Sequence, residues 1–163
     1  MITLGIDPGI TGALAALDHN GALRVVDVPT RPKPGNTKVR NEINPKMLQM
    51  HLRELVAPCE QVIVVMEALN TFAGGSVQTM GSLEATKAVI ATVCELSGFT
   101  VHSVTPQRWQ SFFGIKARAD EDTKAQSLRI ARELYGASFC PLKKHHGRAD
   151  AILIARWAQR NLT

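Results

Sequence analysis

One stretch constrains the fold of this chain more than any other: Ile2-Thr3-Leu4-Gly5-Ile6-Asp7-Pro8-Gly9-Ile10-Thr11-Gly12-Ala13-Leu14. Ile, Leu and Ile at alternate positions favour a buried strand. Pro8, Gly9 and Gly12 then reverse the chain into a second apolar run. A carboxylate at the end of a buried strand is costly unless something pairs with it. The plain reading of Asp7 is an Asx-turn, its side chain capping its own turn. A sharper reading needs partners from elsewhere in the chain.

The remaining segments follow in order. Ala13 to Leu17 continues as a strand, Asp18-His19-Asn20-Gly21 is a hairpin turn, and Ala22 to Val28 is a third strand. Three strands joined by short turns predict an antiparallel meander. Residues 29–41 are Pro-rich and basic, readable as an extended hairpin arm or as a solvated loop. Asn44-Pro45 is an N-cap followed by Pro at the first helical position, which opens a helix over 45–56. Gln61 to Ala68 is the strongest strand. Its unbroken apolar run suits a central parallel position covered on both faces, and it too ends in an acid, Glu67. A Gly-rich polar stretch carrying Phe72 leads into a helix over 79–96, stopped by Gly98. A short strand at 100–104 and a helix opened by Thr105-Pro106 follow, then a loop with Lys116 and Arg118. Asp120-Glu121-Asp122 places negative charge at the start of the next helix, where the helix dipole favours it. A basic stretch, Lys143-Lys144-His145-His146, runs into a last apolar helix.

Three acids therefore occupy unusual places. Asp7 and Glu67 end apolar strands, and Asp150 lies among Ala149, Ala151 and Ile152 near the start of the final helix. Taken singly, each has an ordinary explanation; for Asp150 it is compensation of the helix dipole. Together they suit convergence on Mg²⁺ or Mn²⁺, hard cations that take oxygen ligands. Two such ions about 4 Å apart can clamp the attacking and leaving oxygens of a phosphodiester. His146 stands four residues before Asp150, on one face with it if the helix is continuous, as metal ligand or general base. His145 would point elsewhere, and a break at Gly147 would weaken the preference.

Bulk properties are compatible with that chemistry. At 163 residues the chain is expected to form one domain, 1–163. The formal charge of +5 suits a polyanionic partner. Cys59, Cys94 and Cys140 lie far apart with no CxxC pair, which argues against a zinc ribbon or disulfide framework and suits a reducing compartment. With no basic-then-apolar leader pattern and no run of about eighteen apolar residues, a cytoplasmic protein without a membrane span is expected.

Ile6-Asp7-Pro8-Gly9-Ile10-Thr11-Gly12, Val65-Met66-Glu67 and His146-Gly147-Arg148-Ala149-Asp150-Ala151 together resemble the RuvC-type Holliday junction resolvases of phages and bacteria. Ser103-Val104-Thr105-Pro106-Gln107-Arg108-Trp109 resembles a strand-to-helix segment of the same family. The first turn alone says little, because sugar kinases and actin-like ATPases carry a similar one; the motifs in order say more. The resemblance implies an α/β, ribonuclease-H-like fold: a mixed five-stranded sheet, an antiparallel meander plus parallel strands, flanked by helices. It implies a homodimer that cuts four-way or branched DNA by metal-dependent hydrolysis. Asp7, Glu67 and Asp150 become metal-binding catalytic acids, with Mg²⁺ or Mn²⁺ and two ions per site. The family often carries a fourth acid three residues before the last Asp. Here that place is Gly147, and His146 is the natural stand-in.

For the DNA surface, the resemblance points to basic residues around the helix starts: Arg108, Lys116, Arg118 and Lys124, with Lys143 and Lys144 in the basic loop. Phe72 resembles the aromatic that stacks at an unpaired junction centre, a contact worth roughly 1–3 kcal/mol; an ordinary loop anchor is the competing reading. Trp109 and Trp157, at helical spacing with apolar residues, read as core. Two other functions remain in view. One is a junction-binding module without catalysis, because Gly147 removes an acid. The other is an actin- or sugar-kinase-like nucleotide-binding fragment, for which the chain is short and no lysine-bearing P-loop is present.

Overall fold

The computed structural model describes residues 1–35, 41–58, 60–68 and 77–163, with only the backbone described at 77–79. Strands β1 (Ile2–Asp7), β2 (Ala13–Asp18) and β3 (Leu23–Asp27) form the expected meander. A small hairpin, β4 (Thr30–Pro32) with β5 (Asn41–Ile43), then leaves the sheet. The Pro-rich arm is thus a hairpin at its described base.

Helix α1 (Pro45–Leu55) starts where Asn44 accepts the Met47 amide at 3.2 Å, a cap worth about 1 kcal/mol. Then come β6 (Val62–Glu67), α2 (Val77–Leu96), β7 (Val101–Val104), α3 (Pro106–Phe112), α4 (Thr123–Tyr135), a 3₁₀ turn at Lys143–His145, and α5 (His146–Asn161). The main sheet has the order β3-β2-β1-β6-β7. β6 runs parallel to both β1 and β7. The apolar run of β6 is therefore central and covered on both faces, as parallel strands require.

Alternation along the strands sorts the core onto the two faces. Ile2, Leu4 and Ile6 join Val64, Met66 and residues of α1 and α2 such as Leu48, Leu52 and Ile90. On the opposite face Ala13, Ala15, Leu17 and Val65 pack with Trp109, Leu128 and the apolar side of α5, including Ile152 and Trp157. Both tryptophans are core residues, at 0% and 4% exposure.

Helix α5 lies unusually close to β1. A Cβ added at Gly5 would overlap the Ala151 carbonyl oxygen and the Ala155 amide nitrogen. Gly147, Ala151 and Ala155, four apart on α5, form a ridge of small residues against the strand. The helix is continuous through Gly147, so His146 and Asp150 share it.

Candidate active site

The position of the acids follows from strand parity. Asp7 has the parity of Gly5, and Glu67 that of Val65, so both side chains leave the sheet on the α5 face. Because β1 and β6 are parallel and Ile6 pairs with Met66, the two acids leave the same edge side by side. Asp150, one turn into α5, faces them from above. The Asx-turn reading of Asp7 also holds, since the Gly9 amide donates to Asp7 Oδ1 at 3.3 Å.

These carboxyls share one electrostatic field. Burial pushes Asp7 up to about 6, opposed by the Gly9 amide and by Lys124. Burial raises Glu67 to about 8, with the charges of Asp7 and Asp150 adding to the rise and the Trp109 hydrogen bond opposing it. Asp150 rises to about 7 through burial and then Asp7, while a Ser127 hydrogen bond and Lys124 pull the other way. Asp150 Oδ1 is buried and has no hydrogen-bond partner among the described residues. Among the described residues, no three His, Cys, Asp or Glu side chains stand together as a ready-made metal cage. The acids are coupled through space without forming a closed ligand shell.

His146 has different surroundings. Burial and Lys124 lower its pKa, and Asp122 opposes them; none of the three acids is among its electrostatic neighbours. The α5 position that faces Asp7 is Gly147: a Cβ there would overlap the Thr11 carbonyl oxygen and stand 2.9 Å from Asp7 Oδ2. The place where the resemblance calls for a fourth acid is thus packed against the opening turn. His146 and His145 instead help line a cleft of about 450 Å³ beside that turn, with Thr11, Gly12, Asp27 and Lys144. His145 Nδ1 accepts the Leu142 amide at 3.3 Å. Arg148 makes a two-pronged bridge to Asp27, at 2.6 and 2.7 Å, tying α5 to the end of β3.

The basic residues divide. Lys124 is exposed on the first turn of α4 and reaches the field of Asp7 and Asp150. Arg108 stacks over the Trp157 ring at 5.3 Å. Lys116, Arg118, Lys143 and Lys144 are exposed. The backbone of Lys116 is bracketed by the buried Gln126 side chain, which accepts its amide at 3.3 Å and donates to its carbonyl at 2.7 Å. Phe72 lies outside the described residues.

Two polar contacts escape a reading of the sequence. The Trp109 indole donates to Glu67 Oε1 at 3.4 Å, and the Ser127 hydroxyl, 1% exposed, lies beside Asp150 and favours its charged form. Ser127 does carry a signal: it falls on the apolar face of α4 with Leu128 and Ala131, where a hydroxyl needs a partner. Trp109 carries none, since an apolar stripe explains it fully.

The structure aligns over 98% of its length with "T. thermophilus RuvC in complex with Holliday junction substrate", covering 95% of that chain, at 18% identity and a TM-score of 0.61. "Thermus thermophilus RuvC structure" aligns over 98% of this chain and 96% of that one, at 19% identity and a TM-score of 0.60. The chain has the RuvC fold. That is a ribonuclease-H-like architecture, with the mixed five-stranded sheet that the resemblance implied. In sequence, 63 residues are 44% identical to "Holliday junction resolvase MOC1, chloroplastic" of Chlamydomonas reinhardtii. They make up 37% of this chain and 7% of that protein. No protein-family model matches the chain. Among the described residues, no helix is long and apolar enough to cross a membrane. On the RuvC fold seen here, the three acids gather where β1, β6 and α5 meet.

Proposed function

We propose that residues 1–163 act as a divalent-metal-dependent endonuclease that resolves four-way DNA junctions. The observation that carries this reading is the convergence of Asp7, Glu67 and Asp150 from β1, β6 and α5, each held above its ordinary pKa by burial. Three coupled acids with an orphaned buried oxygen among them are a costly arrangement. A hard cation relieves that cost, and an all-oxygen donor set suits Mg²⁺ or Mn²⁺. Room for two ions is part of the proposal, with His146 at the margin of the site. The RuvC likeness and the name of the algal relative point the same way.

In this reading Asp7, Glu67 and Asp150 hold the cations, which when bound supply charge neutralisation and activation of water at the phosphodiester. Trp109 fixes the orientation of Glu67, and the Ser127 hydroxyl beside Asp150 favours its charged form. Lys124 offers a positive charge to the incoming phosphate beside the acids. Lys116, Arg118, Lys143 and Lys144 contact the DNA backbone, with Arg108 at their edge and Phe72 stacking at the junction. Such binding weakens as salt rises. Paired nicking asks for a homodimer. The apolar residues left exposed on α1 and α2, Met47, Met50, Leu83 and Val89, offer a surface for it. The free thiols Cys94 and Cys140 suit a reducing, DNA-bearing compartment such as the cytoplasm of a bacterium or phage-infected cell.

The test is incubation of a labelled four-way junction, and of a duplex of matched sequence, with Mg²⁺, Mn²⁺ or EDTA. Paired nicks confined to the junction, abolished by Asp7→Asn or Glu67→Gln with binding retained, are expected. An intact junction with either metal refutes the nuclease and leaves a binding module.

A further inference from the structure

We propose that Trp109 is a positioning residue for Glu67, orienting the carboxylate through its indole N–H while leaving the negative charge intact. This rests on the reading of Glu67 as a cation-holding acid. Trp109 is fully buried. Its N–H is the only polar atom of the ring, and a buried indole must find an acceptor. The acceptor is Glu67 Oε1 at 3.4 Å, across 42 positions of sequence.

The local chain fixes the approach. Glu67 pairs with Val104 at the end of the β6–β7 ladder, and the Ala68 amide donates to the Val104 carbonyl at 2.8 Å. Thr105 occupies the N-cap position of α3 and Pro106 begins the helix, so Trp109 falls one turn into it. From there its ring drops into the core shared with Val104, Ile115 and Trp157. The rigid indole is held by packing, and it holds the carboxylate in turn.

The chemistry of the donor matters. A lysine or arginine here would orient Glu67 and cancel its charge. An indole N–H donates, carries no formal charge and cannot accept. It engages one oxygen and leaves the other for a cation. Outer-shell donors of this kind typically contribute 10- to 100-fold to metal affinity.

Four forms of the whole protein test this: wild type, Trp109→Phe, Glu67→Gln and the double variant, each titrated with Mn²⁺ by calorimetry. Phe keeps most of the ring volume and removes the donor. Trp109→Phe is expected to weaken Mn²⁺ binding about tenfold or more, and to have no further effect once Glu67→Gln is present. Unchanged affinity in a folded Trp109→Phe overturns the proposal. Equal losses in both backgrounds also overturn it, since they mark a packing effect. If Glu67→Gln itself leaves Mn²⁺ affinity unchanged, the cation-holding role of Glu67 fails and takes the proposal with it. Should Trp109→Phe not fold, Trp157→Phe leaves Trp109 as the sole indole. Its emission should then shift on adding Mg²⁺, and the shift should vanish with Glu67→Gln; an unresponsive indole overturns the proposal.

Discussion

Asp150→Asn should make the metal-free protein more stable at pH 8 while leaving its stability at pH 5 nearly unchanged. Asp150 is raised from 3.8 to about 7 in the folded state, and one pKa step is worth about 1.4 kcal/mol. The folded state thus holds its proton more tightly than the unfolded chain, so stability falls as pH climbs from the unfolded value towards the folded one. Above the folded value the whole cost is felt, about 4 kcal/mol. At pH 5 only the interval above 3.8 counts, about 2 kcal/mol. The substitution has its own cost. An amide NH₂ at the place of the unpartnered Oδ1 is a buried donor without an acceptor, a loss of about 1–3 kcal/mol. The difference is a net gain of about 2 kcal/mol at pH 8 and close to nothing at pH 5. For a domain of this size that corresponds to roughly 4–8 °C in Tm at pH 8. Thermal unfolding in EDTA at the two pH values measures it. A variant less stable than wild type at pH 8, or an equal gain at both, refutes the reasoning. Adding Mn²⁺ should stabilise wild type and do little for the variant.

Three further outcomes follow from the geometry. Gly5→Ala should lower stability by about 3 kcal/mol or more, because its methyl group meets the α5 backbone and not a movable side chain; urea unfolding reads this, and a change within 0.5 kcal/mol contradicts the close packing. Gly147→Ala should displace the Asp7 turn, reducing junction nicking and Mn²⁺ affinity together; a variant with normal values for both shows that the turn yields freely. His146→Ala should reduce nicking by less than the roughly 100-fold that losing a general base costs, with Lys124→Ala the more damaging change under single-turnover conditions; the reverse order places His146 in the reaction.

Much of this was legible from short-range chemistry. The meander, the Asn44 cap and the buried central strand all rest on signals within a few residues. Strand parity and parallel register then carried two of the acids to one edge. The limits have physical causes. Residues 146 and 150 do lie on one helix face, as spacing requires, but helical periodicity says nothing about what stands opposite. The packing of α5 on β1 turns Gly147 towards Asp7 and gives His146 the company of Lys124 and Asp122. Trp109 and Ser127 act across distant segments, so no local pattern marks them as partners of acids. Its neighbours in sequence group Lys124 with basic residues for DNA, and only the packing of α4 shows that it also reaches the field of the carboxylates.

The seam of small residues between β1 and α5 bears on how mutational data for this chain should be interpreted. Gly5, Gly147, Ala151 and Ala155 carry no functional group, yet they set the spacing between the strand that bears Asp7 and the helix that bears Asp150. A survey scored by activity alone would rank them beside the carboxylates. Size separates the two classes: seam positions reject volume whatever its charge, whereas acids in the proposed cation-holding role reject neutral isosteres of equal volume. The most intolerant sites in the molecule would thus include some with no chemistry of their own.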